Sequence, residues 1–176
     1  MSFTLSQSAI PAFLTGLNAL SGILEKAAAF ATSKKIDESV LLQTRLAPDM
    51  FPLVRQVQIA TDQAKNGSAR MAGAKAIRHE DSETTIAELK QRIGETVTFL
   101  EALDQAAFDA SAEKQISFPL GRANKGEMKG DAYILQFVVP NFYFHLAMTY
   151  AILRQCGVEV GKGDFLGSIA MTRTPV

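Results

Sequence analysis

The chain has no tryptophan, one cysteine and two histidines among 176 residues. A lone Cys156 excludes an internal disulfide and any cysteine-based zinc site. Two histidines, His79 and His145, exclude a three-histidine metal site within one chain. Neither charge is in excess: 18 Lys+Arg balance 18 Asp+Glu. That balance argues against nucleic-acid binding, which needs a basic field to hold phosphates. Long apolar runs are missing too. The longest, Phe142 to Leu153, is broken by His145, Thr149 and Tyr150 and is too short to span a bilayer. Residues 1–30 lack a basic start followed by a continuous apolar stretch, because Glu25 and Lys26 interrupt it. The expectation is a cytoplasmic protein with no membrane or nucleic-acid partner, and the unpaired cysteine fits a reducing compartment.

What is present is a 47% apolar chain of a length that suits one domain, taken as residues 1–176. Ile10, Phe13, Leu14, Leu17, Leu20, Leu24, Ala27 and Ala28 step by threes and fours, the mark of one helix face. Ser6 or Ser8 is expected to cap this helix. A short helical piece is expected from Glu38 to Arg45. Asp49 is then a suitable N-cap for a second long helix, with Pro52 in its first turn. That helix carries Leu53, Val57, Ala60, Ala64 and Met71 and ends near Gly73. Lys75 to Asp81 reads as a polar link, and Ser82 or Asp81 as the cap of a third helix. Its inward stripe is Ile86, Leu89, Ile93, Val97, Leu100 and Leu103. From about Ala106 to Gly130 the helical period breaks. Alternation at Ile116-Ser117-Phe118 and three later glycines predict a short hairpin or extended loop. A fourth helix runs from near Asp131 to Gly157, and Pro140 within it predicts a kink. The fold class is all-α, a four-helix bundle with a hairpin or loop between its third and fourth helices.

Polar chemistry is concentrated on the fourth helix. Asn141 and His145 are four apart and share a face that is otherwise apolar. A buried polar group there needs a partner, and the same spacing suits two ligands of one metal. The bland alternative is a histidine held by a core hydrogen bond, with Asn141 capping the backbone group that Pro140 frees. Asp49 and Gln56, seven apart, share a stripe if one helix holds both. With His145 they form a candidate N/O site for a divalent metal or a small polar ligand. Arg45 is read as pairing with Asp49 at the surface. His79, in Arg78-His79-Glu80-Asp81, is read as a solvated residue in a charged link. Cys156 follows a helix C-terminus, the wrong pole for a thiolate nucleophile, and is read as a buried structural thiol. No phosphate-cradling glycine motif, nucleophile elbow or His-Glu-x-x-His occurs.

Several segments together resemble a known group. Leu46-Ala47-Pro48-Asp49-Met50-Phe51-Pro52-Leu53 with Arg55-Gln56-Val57, Phe118-Pro119-Leu120-Gly121, Pro140-Asn141-Phe142-Tyr143-Phe144-His145 and Asp164-Phe165-Leu166-Gly167 are similar to an uncharacterised bacterial domain family. That family is a branch of the DinB/YfiT-like superfamily. The resemblance implies a DinB-like four-helix bundle of up-down-down-up topology with a long crossover, and a homodimer. Many superfamily members resemble metal-dependent enzymes, including thiol transferases. Their usual site has one histidine on the second helix and a His-x-x-x-His on the fourth. Here the fourth-helix motif is Asn141-x-x-x-His145, and Gln56 or Gln58 stands in the second-helix region. Two functions compete. One is a non-catalytic homodimeric bundle whose altered metal cleft binds a small polar ligand or is purely structural. The other is a hydrolase or thiol transferase whose zinc, nickel or manganese is held by His145 and Asn141.

Overall fold

The computed structural model describes residues 3–121 and 123–168, so the two ends of the expected 1–176 unit lie outside the described residues. Four long helical stretches make the body: α1 (Leu5–Lys34), α3 (Leu53–Ala72), α4 (Ile86–Glu101) and α7 (Val139–Gln155). Shorter pieces join them: α2 (Glu38–Leu42), α5 (Gln105–Asp109), α6 (Gly130–Ala132) and α8 (Lys162–Leu166). Among the described residues no helix is long and apolar enough to cross a membrane. The expected stripes do face one core. Phe13, Leu17, Leu20, Leu24, Leu53, Val57, Leu89, Leu100, Phe142 and Ile152 are all fully buried there. Removing such faces from water is the main term holding a bundle together.

Side-chain pairings give the helix directions. Glu38 receives the Ile86 amide, Lys90 pairs with Glu25, and Ser6 bonds to Asp109, so α1 and α4 are antiparallel. Gln58 reaches Glu83, Thr61 reaches Arg92, and Met71 lies near Ser111 beside Gly130, so α3 and α4 are parallel. Gln56 meets His145 and Arg70 meets Tyr133, so α7 runs against α3. Tyr143 reaches the Ala12 carbonyl and Gly157 lies beside Phe30, so α7 runs with α1. The order is up-down-down-up. Two consecutive parallel helices require a return path, and residues 73–85 supply it by crossing back along the bundle.

The helix starts differ from expectation. Thr4, not Ser6 or Ser8, caps α1, in a capping box with Gln7. Ser6 is drawn away because its amide and hydroxyl both donate to Asp109, at 2.7 and 2.8 Å. Asp37 caps α2, which stops at Leu42 rather than Arg45. Pro52, not Asp49, is the N-cap of α3, and it offers no side-chain cap. Thr85, not Ser82 or Asp81, caps α4 in a second capping box, with Glu88.

The expected hairpin is present. β1 (Gln115–Leu120) pairs antiparallel with β2 (Asn124–Lys129), with Phe118 opposite Gly126. A Cβ on Gly126 would come within 2.7 Å of the Phe118 ring, so this position must stay bare. The last long helix departs from α geometry, as Pro140 suggested, but by widening rather than by a simple bend. Residues Tyr133–Val138 form a π-helical turn, and Val139 N–H donates to the Ile134 carbonyl five residues back. Pro140 has no N–H to give, and the wider turn accommodates its ring against the preceding carbonyls. After α7, the chain forms α8. There Phe165 packs edge-on against Tyr150, at 5.9 Å between ring centres. Cys156 is half-buried rather than buried, packed against the core.

Candidate functional site

The antiparallel seam of α3 and α7 brings together two of the four residues singled out in the sequence. Gln56 is in the first turn of α3, and His145 is in the middle of α7; both side chains are buried. His145 Nδ1 lies 2.7 Å from Gln56 Oε1. The Gln56 amide is oriented by its Nε2, which donates to the Phe51 carbonyl at 3.0 Å. Its Oε1 can therefore only accept, and Nδ1 of His145 carries the proton and donates. That fixes the tautomer and leaves Nε2 as a lone pair. Nε2 has no partner among the described residues, yet it is not sealed in. Among the described residues, Ser68 Oγ alone is both fully buried and unpartnered. Burial, with help from the nearby Arg55 cation, lowers the His145 pKa from 6.5 to about 4. The ring is thus neutral at pH 7. The Phe144 ring stands edge-on to it at 5.1 Å.

The other two predicted residues do not join this pair. Asn141 is half-buried, and its Nδ2 donates at 2.7 Å to the Phe137 carbonyl of the preceding turn. The side chain thus stabilises the junction between π-helical and α-helical backbone. Asp49 is exposed in the turn before α3 and forms no hydrogen bond or ion pair with a described residue. Because α3 starts after Pro52, Asp49 is not on the helix and shares no stripe with Gln56. Arg45 does not pair with it but reaches the Met50 carbonyl at 3.4 Å.

A metal of the kind the resemblance implies needs several strong donors. Among the described residues no group of three or more His, Cys, Asp or Glu side chains is arranged to hold a metal ion. Gln56 Oε1 is already used by His145. What remains is one imidazole nitrogen and the neutral Asn141 amide oxygen. Zinc, nickel and manganese sites are normally built from three or more imidazole, thiolate or carboxylate groups, so this donor set does not fit.

The structure also shows a polar cluster that the sequence reading missed. Arg92, on the inward face of α4, is only 2% exposed. It donates to Asp62, Asp81, Glu83, the Thr61 hydroxyl and the Gln58 carbonyl. Burial works against its charge, but Glu83, Asp62 and Asp81 outweigh that and raise its pKa. The same arrangement lowers Asp81 and Glu83 against their own desolvation. Lys65, also buried, pairs with Asp62 at 3.1 Å and approaches His79 Nδ1 at 3.1 Å. His79 Nε2 faces Glu95 at 3.1 Å. His79 is therefore not a solvated link residue. A lysine can only donate, so Nδ1 accepts and Nε2–H donates to Glu95. Burial first, then Lys65 and Arg92, lowers its pKa. The cluster pins the crossover onto the α3–α4 seam. One signal was visible in the sequence: Arg92 sits between Leu89 and Ile93, on the edge of the apolar stripe.

Comparison with known proteins agrees with this architecture. The model of a family described as "Domain of unknown function (DUF1993)" matches residues 5–166. No curated protein matches the chain. Among solved structures, a crystal structure described as a DinB family member protein from Shewanella denitrificans is 45% identical. The match covers 97% of this chain and 96% of that one, with a TM-score of 0.88. The crossover topology, the hairpin before the last helix and these matches agree: the chain belongs to the DUF1993 family and is a DinB-like domain of unknown function.

Proposed function

We propose that this DinB-like bundle is a homodimeric, non-catalytic protein that binds a small polar ligand where its superfamily resemblance implies a metal. The observation that supports this is the 2.7 Å bond between Gln56 Oε1 and His145 Nδ1. It uses the second-helix donor to orient the imidazole instead of binding a metal. It leaves one neutral, uncharged acceptor, Nε2, flanked by an aromatic ring. Such a site suits a ligand that presents an O–H or N–H donor. The exposed Phe144, 53%, stands against His145, and Phe51, 55% exposed, holds Gln56 through its carbonyl; these two residues offer an apolar contact for a second copy.

Metal analysis of protein purified without an affinity tag tests the reading. We expect no stoichiometric metal and no thermal shift on adding zinc, nickel or manganese. Stoichiometric metal would overturn it in favour of a metal-dependent hydrolase or thiol transferase using His145. Light scattering is expected to give about twice the 19.0 kDa chain mass. A single-chain mass would remove the homodimer from the proposal.

A further inference from the structure

Beyond the reading of His145, we infer that the cleft between α3 and the hairpin is a binding site for a small aromatic carboxylate. The cleft has a volume of about 240 Å³. Its floor is a single stripe of α3 that includes Arg55, Asp62, Asn66 and Arg70, spaced by seven, four and four residues. Its opposite wall is aromatic, formed by Phe118 of β1 with Tyr133 and Phe137 of the π-helical turn. Ring centres are 4.7 Å apart for Phe118–Tyr133 and 4.6 Å for Phe118–Phe137. Tyr133 and Phe137 are nearly parallel, at 18° and 6.0 Å. They are four residues apart, and a turn closed by five-residue hydrogen bonds sends such a pair the same way.

The charged groups on the floor are not equivalent. Arg55 is paired with Asp81 at 2.5 Å. The Asp62 carboxylate is neutralised by Arg92 and Lys65, at 2.8 and 3.1 Å. Arg70 alone has no carboxylate partner among the described residues; its bond is to the Tyr133 hydroxyl, at 3.1 Å. A guanidinium has five N–H donors in a planar fork that matches a carboxylate. Tyr133 and Phe118 are buried, at 1% and 5% exposure, and back the half-buried Phe137, which is the ring open to the cleft. An unneutralised guanidinium beside that ring, in a space this small, fits one ring bearing one carboxylate, with Phe137 supplying the aromatic contact.

The test is a titration of isotope-labelled protein with sodium benzoate, followed by NMR at Arg70 Nε–H and the amides of residues 133–137. Saturable shifts with a Kd on the order of 1 mM are expected for so few atoms. Acetate, which lacks the ring, and benzamide, which lacks the charge, should each bind about tenfold more weakly. Arg70→Met should weaken benzoate binding about tenfold or more with an unchanged far-ultraviolet dichroism spectrum. Phe137→Ala, at a half-buried position, should remove the preference for benzoate over acetate. Any of three results overturns the assignment: no saturation, equal affinity for acetate, or an Arg70→Met variant that binds as well as the parent. Shifts confined to the His145 ring would overturn it too, by placing the anion elsewhere. The His145 reading is judged by metal content and by its own ring, so the two fail separately.

Discussion

Lowering the pH from 7 to 5 is expected to remove about 2 kcal/mol of stability through His145 alone. The folded ring titrates near 4 and an unfolded one near 6.5. Between those values the unfolded chain takes up a proton that the folded chain refuses. Stability is therefore unaffected above about pH 7 and falls as the pH drops through 6.5 toward 4. The full difference of 2.5 pH units corresponds to about 3 kcal/mol, reached near pH 4, and this is an upper value for a ring that is 8% exposed. Carboxylates do not obscure the window. Asp81, Glu83, Glu88 and Glu95 are all lowered in the fold, so their contribution starts to be lost as the pH falls through the ordinary carboxylate range and goes mostly below about pH 5. His79 is also lowered and adds to the loss with the same sign. The assay is urea unfolding at a series of pH values from 7 to 5, beside NMR titration of the His145 Cε1–H. A His145→Phe variant should lose most of the slope, with the remainder assigned to His79. A His145 ring titrating near 6.5, or an unchanged slope in His145→Phe, would refute the reasoning.

Arg92→Met should cost about 2–4 kcal/mol in urea unfolding, because Asp62, Asp81 and Glu83 lose the buried cation they share, while Lys65 and Arg55 still serve Asp62 and Asp81. Gly67→Ala would place a Cβ 2.5 Å from Val138 Cγ1 and should cost about 1–3 kcal/mol; adding Val138→Ala should recover part of it in a double-mutant cycle. Thr85→Ala should cost about 1 kcal/mol in urea unfolding by removing the capping box that starts α4, whereas Ser82→Ala should be near neutral by the same measurement. His145→Ala should leave the Gln56 carbonyl oxygen without its partner and cost about 2 kcal/mol or more; an unchanged midpoint would show that the pair contributes nothing to the fold.

The long helices were legible because their apolar residues recur at helical spacing, and burial follows that spacing almost residue for residue in α4. The hairpin was legible from three residues, since Ile116 and Phe118 alternate with Ser117 and both face the core. Caps were less legible. Thr4 with Gln7 and Thr85 with Glu88 carry the right signature, but Ser6, Asp81 and Ser82 compete for it locally. Only long-range partners decide between them: Asp109 takes Ser6, and Arg55 and Arg92 take Asp81. The Gln56–His145 pair could be suspected from an out-of-place histidine, whereas Asp49 could not be excluded without knowing where α3 begins. His79 reads as solvated because a histidine in a charge-rich link usually is. Lys65 on α3 and Glu95 on α4 instead hold its two ring nitrogens, and no one-dimensional pattern records such a pairing.

The π-helical turn has a consequence for how the last long helix is divided. One extra residue in a helix advances every following side chain by about 100°. The stretch before Pro140 and the stretch after it are therefore out of phase; both meet α3, and the first also meets the hairpin. The first turns Tyr133 and Phe137 toward the hairpin, and the second turns His145 toward Gln56 on α3. Removing a single residue between 133 and 138 would restore a regular helix and rotate one half relative to the other. The cleft wall and the histidine pair could then not both be kept. The widened turn works as a phase joint, letting one continuous helix serve two separate surfaces of the bundle.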